Sequence, residues 1–118
     1  MDYADTKCEE NLRALEDALY VLGGKWRLRI LAAMFSGHKR FNDLQRTIHG
    51  ISARVLSNEL KQLELNGLLK REVHVDKTPV VTEYVYTEYA RSIDNVIVTL
   101  ADWGQKHKEK ITTTCQNH

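Results

Sequence analysis

A mainly helical α+β domain is the fold class this 118-residue chain predicts, and three observations predict it. Five segments carry apolar residues at spacings of three and four, the signature of a helix with one buried face. Two runs, LLKREVHV and VVTEYVYT, are instead rich in the β-branched and aromatic residues that strands favour. Glycines at positions 23, 24, 37, 50 and 67 fall where the helical patterns stop. The length suits one domain with its own core and is too short for two, so residues 1–118 are expected to form a single unit.

The elements follow in order. Leu12, Leu15, Leu19 and Leu22 form the stripe of a first helix, about residues 9–22, that ends at Gly23-Gly24. In KWRLRILAAMFSG, Trp26, Ile30, Leu31, Met34 and Phe35 give a second helix a broad apolar face suited to the centre of a core. RFNDLQRTIHG offers Phe41, Leu44 and Ile48 for a short third helix before Gly50. Ser52 is placed to cap a fourth helix running to about Asn66, with Gly67 ending it, so the third and fourth helices meet across a tight turn around His49 to Ile51. The two strand-like runs, separated by DKTP, make a hairpin with a polar tip. Thr87 then caps a long last helix, about 88–111, whose Tyr89, Ile93, Val96, Ile97, Leu100, Trp103, His107 and Ile111 form a seam at nearly heptad spacing.

Three helices, a turn between the last two and then a hairpin form the order of a winged helix-turn-helix, with a DNA-binding core over about 25–87. In such modules the second helix of the pair enters the major groove and the hairpin, or wing, lies on the backbone or minor groove. The fourth helix has suitable chemistry for that task. Ala53, Arg54, Ser57, Asn58 and Lys61 share the side away from Val55, Leu56, Leu60 and Leu63. Arginine suits guanine, asparagine suits adenine, serine suits phosphate or base, and lysine suits phosphate. The wing adds Lys70, Arg71, His74 and Lys77.

Charge is distributed accordingly. The net charge of +1 conceals an acidic first nineteen residues, at −4, and a basic 37–77 segment, at +3. Phosphate would repel a face rich in acids, and the fourth helix keeps Glu59 at its margin. The seam of the last helix is longer than a domain of this size needs for its own core. Leu12, Leu15 and Leu19 with Ile93, Val96, Ile97, Leu100 and Trp103 are therefore expected to pair two copies, setting two reading helices about 34 Å apart on palindromic DNA.

At this point the chain resembles the HxlR-type transcriptional regulators, a branch of the MarR-like winged-helix proteins, over about residues 8–107. The resemblance rests on Cys8, GGKW at 23–26, ILAAMFSGHKRFNDL at 30–44, GISARVLSNELKQLELNGLLKR at 50–71, PVVTEYVYT at 79–87 and DWG at 102–104. It implies a homodimer that binds double-stranded promoter DNA at palindromic sites. It carries over Lys25 and Trp26 as the GKW element, Trp26 packing in the core, and Arg40 and Phe41 as the start of the third helix. Ser52, Arg54, Ser57, Asn58 and Lys61 carry over to the recognition helix, and Lys77 to the wing tip. The chain departs from the family pattern at Glu9, where proline is frequent, at Thr82-Glu83-Tyr84, where VEY is, and at Ala90, where glycine is.

The resemblance also draws attention to Cys8, which the sequence sets ahead of the first helix, because a cysteine there responds to oxidants or electrophiles in several members. A helix N-terminus and Lys7 favour a reactive thiolate, while Glu9 and Glu10 oppose it. A redox or electrophile response through Cys8, with an oxidant or small molecule as effector, is one expectation and an inert thiol is the other. Cys115, in TTTCQNH, reads as incidental.

Other classes fit the residues less well. Phosphate-cradling glycine loops and G-x-S-x-G are missing and the five histidines are scattered, so the chain is read as no enzyme and as using no cofactor. A metal-sensing winged helix would need ligands at closer spacing than the cysteines and histidines offer, and no metal site is expected. A winged helix that binds only protein would keep the fold without a basic reading face. The acidic N-terminus is unlike a signal peptide and no apolar run approaches the roughly 20 residues of a membrane span, so a cytoplasmic location without membrane contact is expected.

Overall fold

The computed structural model describes residues 3–116, with side chains described from 7 to 113; the side chain of Cys115 and all of His118 lie outside that range. Its elements are α1 (Tyr3–Leu22), α2 (Arg27–Phe35), α3 (Phe41–Thr47), α4 (Ala53–Leu65), β1 (Leu69–His74), β2 (Val81–Tyr86), a 3₁₀ turn over Tyr89–Ile93 and α5 (Asp94–Gln116). The chain is a mostly helical α+β domain with a two-stranded antiparallel wing, the predicted class.

Apolar periodicity builds the core. The inward faces of α2, α3 and α4 bring together Ile30, Leu31, Met34, Leu44, Leu56, Leu60 and Leu63, and the chain beyond α4 adds Leu68 and Leu69, all buried. Between α3 and α4 the turn is held by Ile48 and Ile51, also buried, around Gly50 at φ +85°. An L side chain rarely adopts that backbone conformation. Gly67, at φ +79°, ends α4 in the same way. The Leu68 N–H donates to the Leu63 carbonyl and the Gly67 N–H to that of Glu64, each at 3.0 Å, so the last carbonyls of α4 are satisfied and the chain turns straight into the wing.

In the wing, Leu69 lies opposite Tyr86, Arg71 opposite Tyr84 and Val73 opposite Thr82. The strands are shorter than their β-rich runs, because Val75 and Val80 are left exposed in the connection. The other edge of β2 meets the segment before α3: Arg40 bridges to Glu83, and the Tyr84 N–H donates to the Lys39 carbonyl at 2.8 Å. Sequence reading did not find this third partner, which ties the wing to the start of α3. The Tyr86 hydroxyl donates to the Leu31 carbonyl, fastening β2 to α2.

Two boundaries differ from expectation. Helix α1 begins at Tyr3 rather than near Glu9, since no glycine or proline between those residues breaks a helix. Cys8 consequently lies within α1, beyond the first turn whose free N–H groups would steady a thiolate, so it does not precede the helix. The last helix is not continuous from Glu88. Thr87 does cap, its Oγ1 accepting from the Ala90 N–H at 3.2 Å, but the same hydroxyl donates to the Gly67 carbonyl at 2.6 Å and Ala90 is buried. The chain packs there as a tight 3₁₀ turn before α5 begins, a common form at helix starts.

Candidate nucleic-acid interface

Ser52 opens the site. Its backbone is extended and its Oγ accepts a hydrogen bond from the Val55 N–H at 3.1 Å, giving α4 a defined first turn. From that turn Ala53, Arg54, Ser57, Asn58 and Lys61 all stand exposed on one side of α4, while Leu56, Leu60 and Leu63 are 0–1% exposed on the other. Such a division leaves each polar side chain of the outer face free to meet a ligand, on a helix immobilised by its apolar face.

Electrostatics sharpen this picture. Among the described residues, Arg54 and Lys61 have no ion-pair partner, whereas Glu59, on the same helix, is neutralised by Arg27 at 2.9 Å. Arg40 stands exposed at the start of α3, Arg71 is exposed on β1 and Lys77 is exposed in the wing loop. The predicted residues thus come from three elements, α3, α4 and the wing, and the Arg40–Glu83 bridge locks two of these to each other. His74, a further basic candidate on the wing, sits between two acids, 4.0 Å from Glu72 and 3.7 Å from Glu83.

Sequence reasoning missed Arg27. Its Nε donates to Glu59 and its Nη1 donates to the carbonyls of Tyr20 and Val21 at 3.1 and 2.9 Å. Thirty-two residues separate the ion pair, so no periodicity announces it. Trp26, just before α2, packs partly on the core as expected and has Lys25 and Arg29 over its ring.

The residues expected to pair two copies divide into two groups. Ile93 and Ile97 pack on the core of their own domain. Leu12, Leu15 and Leu19 on α1 are 55–57% exposed, and Val96, Leu100 and Trp103 on α5 are also exposed. Cys8 is exposed too and, at spacings of four, three and four, continues the stripe of those three leucines. The radius of gyration is 18.0 Å, against about 13.5 Å for a compact chain of this length, because the terminal helices reach beyond the core. Among the described residues, no group of three His, Cys, Asp or Glu side chains is arranged to hold a metal ion. No helix is long and apolar enough to cross a membrane, again among the described residues.

Comparison with known proteins gives a consistent result. Residues 21–112 match the model of the HxlR-like helix-turn-helix family. An uncharacterized HTH-type transcriptional regulator of Bacillus subtilis, YdeP, is 38% identical over 97 residues, 82% of this chain and 75% of that protein. Among solved structures, the redox regulator HypR in its reduced form superposes with a TM-score of 0.76 at 32% identity, covering 85% of this chain and 98% of HypR. The reduced transcriptional regulator YodB of B. subtilis gives a TM-score of 0.68 at 32% identity, covering 79% of this chain and 90% of YodB.

Proposed function

The chain belongs to the HxlR-like helix-turn-helix family and is an HTH-type transcriptional regulator, not an enzyme; from that premise we propose that it binds palindromic promoter DNA as a homodimer. One observation carries the reading: an exposed polar face on a capped, well-anchored α4, its cations unpaired and its nearest acid neutralised, flanked by a basic wing. Arg54 and Asn58 read base edges in the major groove, and Ser57 reads base or phosphate. Arg40, Ser52, Lys61, Arg71 and Lys77 hold phosphates, with Ala53 against the groove wall. The oxygen of Ser52 is engaged by Val55, so its hydroxyl hydrogen is the part that meets a phosphate.

Pairing of two copies through Leu12, Leu15 and Leu19 of α1 and Val96, Leu100 and Trp103 of α5 is supported by the exposure of these large apolar side chains. Cys8, exposed on that same stripe, is the candidate sensor. An oxidant such as diamide would take one hydrogen from each of two Cys8 thiols, one per subunit, and leave an intersubunit disulfide that changes the separation of the reading helices. The description of HypR as a redox regulator lends this weight.

Selection from random DNA tests the whole reading, and recovery of a palindrome with two equivalent half-sites is the expected result. Arg54→Ala should then weaken binding to that palindrome by about 1 to 3 kcal/mol and relax the preference at one base position. Unchanged affinity and preference would remove Arg54 from the reading face. Diamide should alter binding by the wild type and leave Cys8→Ala unaffected; equal responses would rule out Cys8.

A further inference from the structure

Helix α1 is held to the body of the domain at its last turn. Residues 7–20 are exposed throughout, and Val21 and Leu22 are its side chains that pack on the core. The chain leaves α1 through Gly23, whose N–H donates to the Leu19 carbonyl at 2.7 Å, and Gly24, at φ +94° with open space around it, whose missing side chain leaves the backbone the wider conformational range of glycine. Arg27 spans that junction. One edge of its guanidinium takes the carbonyls of Tyr20 and Val21, and the other takes Glu59 on α4. Those carbonyls belong to the negative end of the α1 dipole, where a cation is favoured, and α1 has no basic residue in its own last turn. The two side chains of the ion pair are only 18% and 25% exposed, so solvent screens them little. Holding two carbonyls and a carboxylate together requires a planar fork, which lysine's single ammonium does not provide.

We infer that Arg27, held by Glu59, is the positioning residue that fixes the angle between α1 and α4, and thereby sets the half-site spacing the homodimer accepts. The inference rests on the dimeric reading above. When α1 joins two copies beside α5, which Ile93 and Ile97 already fix to the core, the angle of α1 to α4 is the part of the geometry left for Arg27 to set. One added base pair displaces a half-site by about 3.4 Å and rotates it by roughly 35°, since a turn of about 34 Å holds 10 to 10.5 base pairs. A fixed α1–α4 angle rejects that displacement. A joint reduced to two glycines and the contacts of Val21 and Leu22 follows it.

The test uses the full-length protein and the palindrome recovered by selection, with spacers shortened or lengthened by one and two base pairs. Affinities are measured by fluorescence anisotropy at one salt concentration for the wild type, Arg27→Gln and the double variant Arg27→Gln/Glu59→Gln. The double variant leaves neither charge of the pair unpartnered, so it also removes any effect of a bare Glu59 on phosphate. The wild type is expected to lose about tenfold in affinity for a one-base-pair change, and both variants to lose about threefold or less. A variant that keeps the wild-type ratio overturns the inference. So does an equal loss at every spacer, which would mean that Arg27 merely supports the fold. If the wild type itself selects no palindrome, or is indifferent to spacing, the dimeric reading fails with it, and that outcome is read from the wild-type arm alone.

Discussion

Leu12, Leu15 and Leu19 repeat along α1 much as Leu56, Leu60 and Leu63 repeat along α4, yet the first three lie in water and the second three are sealed in the core. Both stripes obey the same helical period, so period alone does not say what a helix packs on. The difference lies in the neighbours the chain supplies. Helix α4 is clasped between α3, α2 and β1, while α1 leads away from the body and meets none of them along most of its length. A stripe buried at home marks an element that must be held still, and a stripe left bare is the surface on which the proposed pairing of two copies rests.

Truncation distinguishes the two stripes most strongly. Leu60→Ala, in the core, should cost about 2 to 5 kcal/mol of unfolding free energy in a denaturant melt, because the surroundings only partly close on the gap. Leu15→Glu should instead abolish the concentration dependence of Tm that dimerisation gives the wild type. A Tm for the wild type that does not vary with concentration would break the contrast between the stripes.

Smaller effects probe how α4 is held. Ser52→Ala removes the cap at Val55 and should lower stability by about 1 kcal/mol in the same melt, with operator affinity falling as the first turn loosens. Tyr86 bears on the α2 side. Burial, assisted by the charge of Asp94, pushes its hydroxyl up to about 12 from its ordinary value of 10.0. A raised pKa in the folded state means that the stabilisation is complete below pH 10 and is lost as pH climbs through 12. Stability measured across that range should fall for the wild type and much less for Tyr86→Phe, which has no hydroxyl to ionise or to offer the Leu31 carbonyl. The smallest effect belongs to the wing tip: Lys77→Ala should weaken binding to all DNA sequences alike and lower the slope of log affinity against log salt by about 1.

What could be read in the sequence was local. Ser52 and Gly67, a cap and a stop thirteen helical residues apart, outlined α4 because both act on backbone groups within a few residues of themselves. The strand-rich runs on either side of Pro79 likewise announced the wing. Contacts between distant segments had no such signal. The grip of Arg27 on Glu59, the bridge from Arg40 to Glu83 and the burial of Ala90 that divides a 3₁₀ turn from α5 all depend on how elements settle against each other. Cys8 was misplaced for a related reason, since the leucine stripe that outlines α1 begins only at Leu12 and gives no sign of where the helix starts. The outer face of α4 was legible as a polar surface, but its unbalanced positive charge emerged only once Glu59 was seen to be matched.

Strand β1 has a consequence beyond recognition. It pairs with β2 on one side alone, so its other side presents the open backbone groups on which foreign strands can grow. Lys70, Arg71 and Glu72 stand exposed in the middle of that strand. Charges there make stacking of one wing on another unfavourable, so Lys70 and Arg71, suited to meeting phosphate, also act with Glu72 to keep the protein from polymerising edge to edge. Replacing them with apolar residues would therefore endanger solubility as well as affinity.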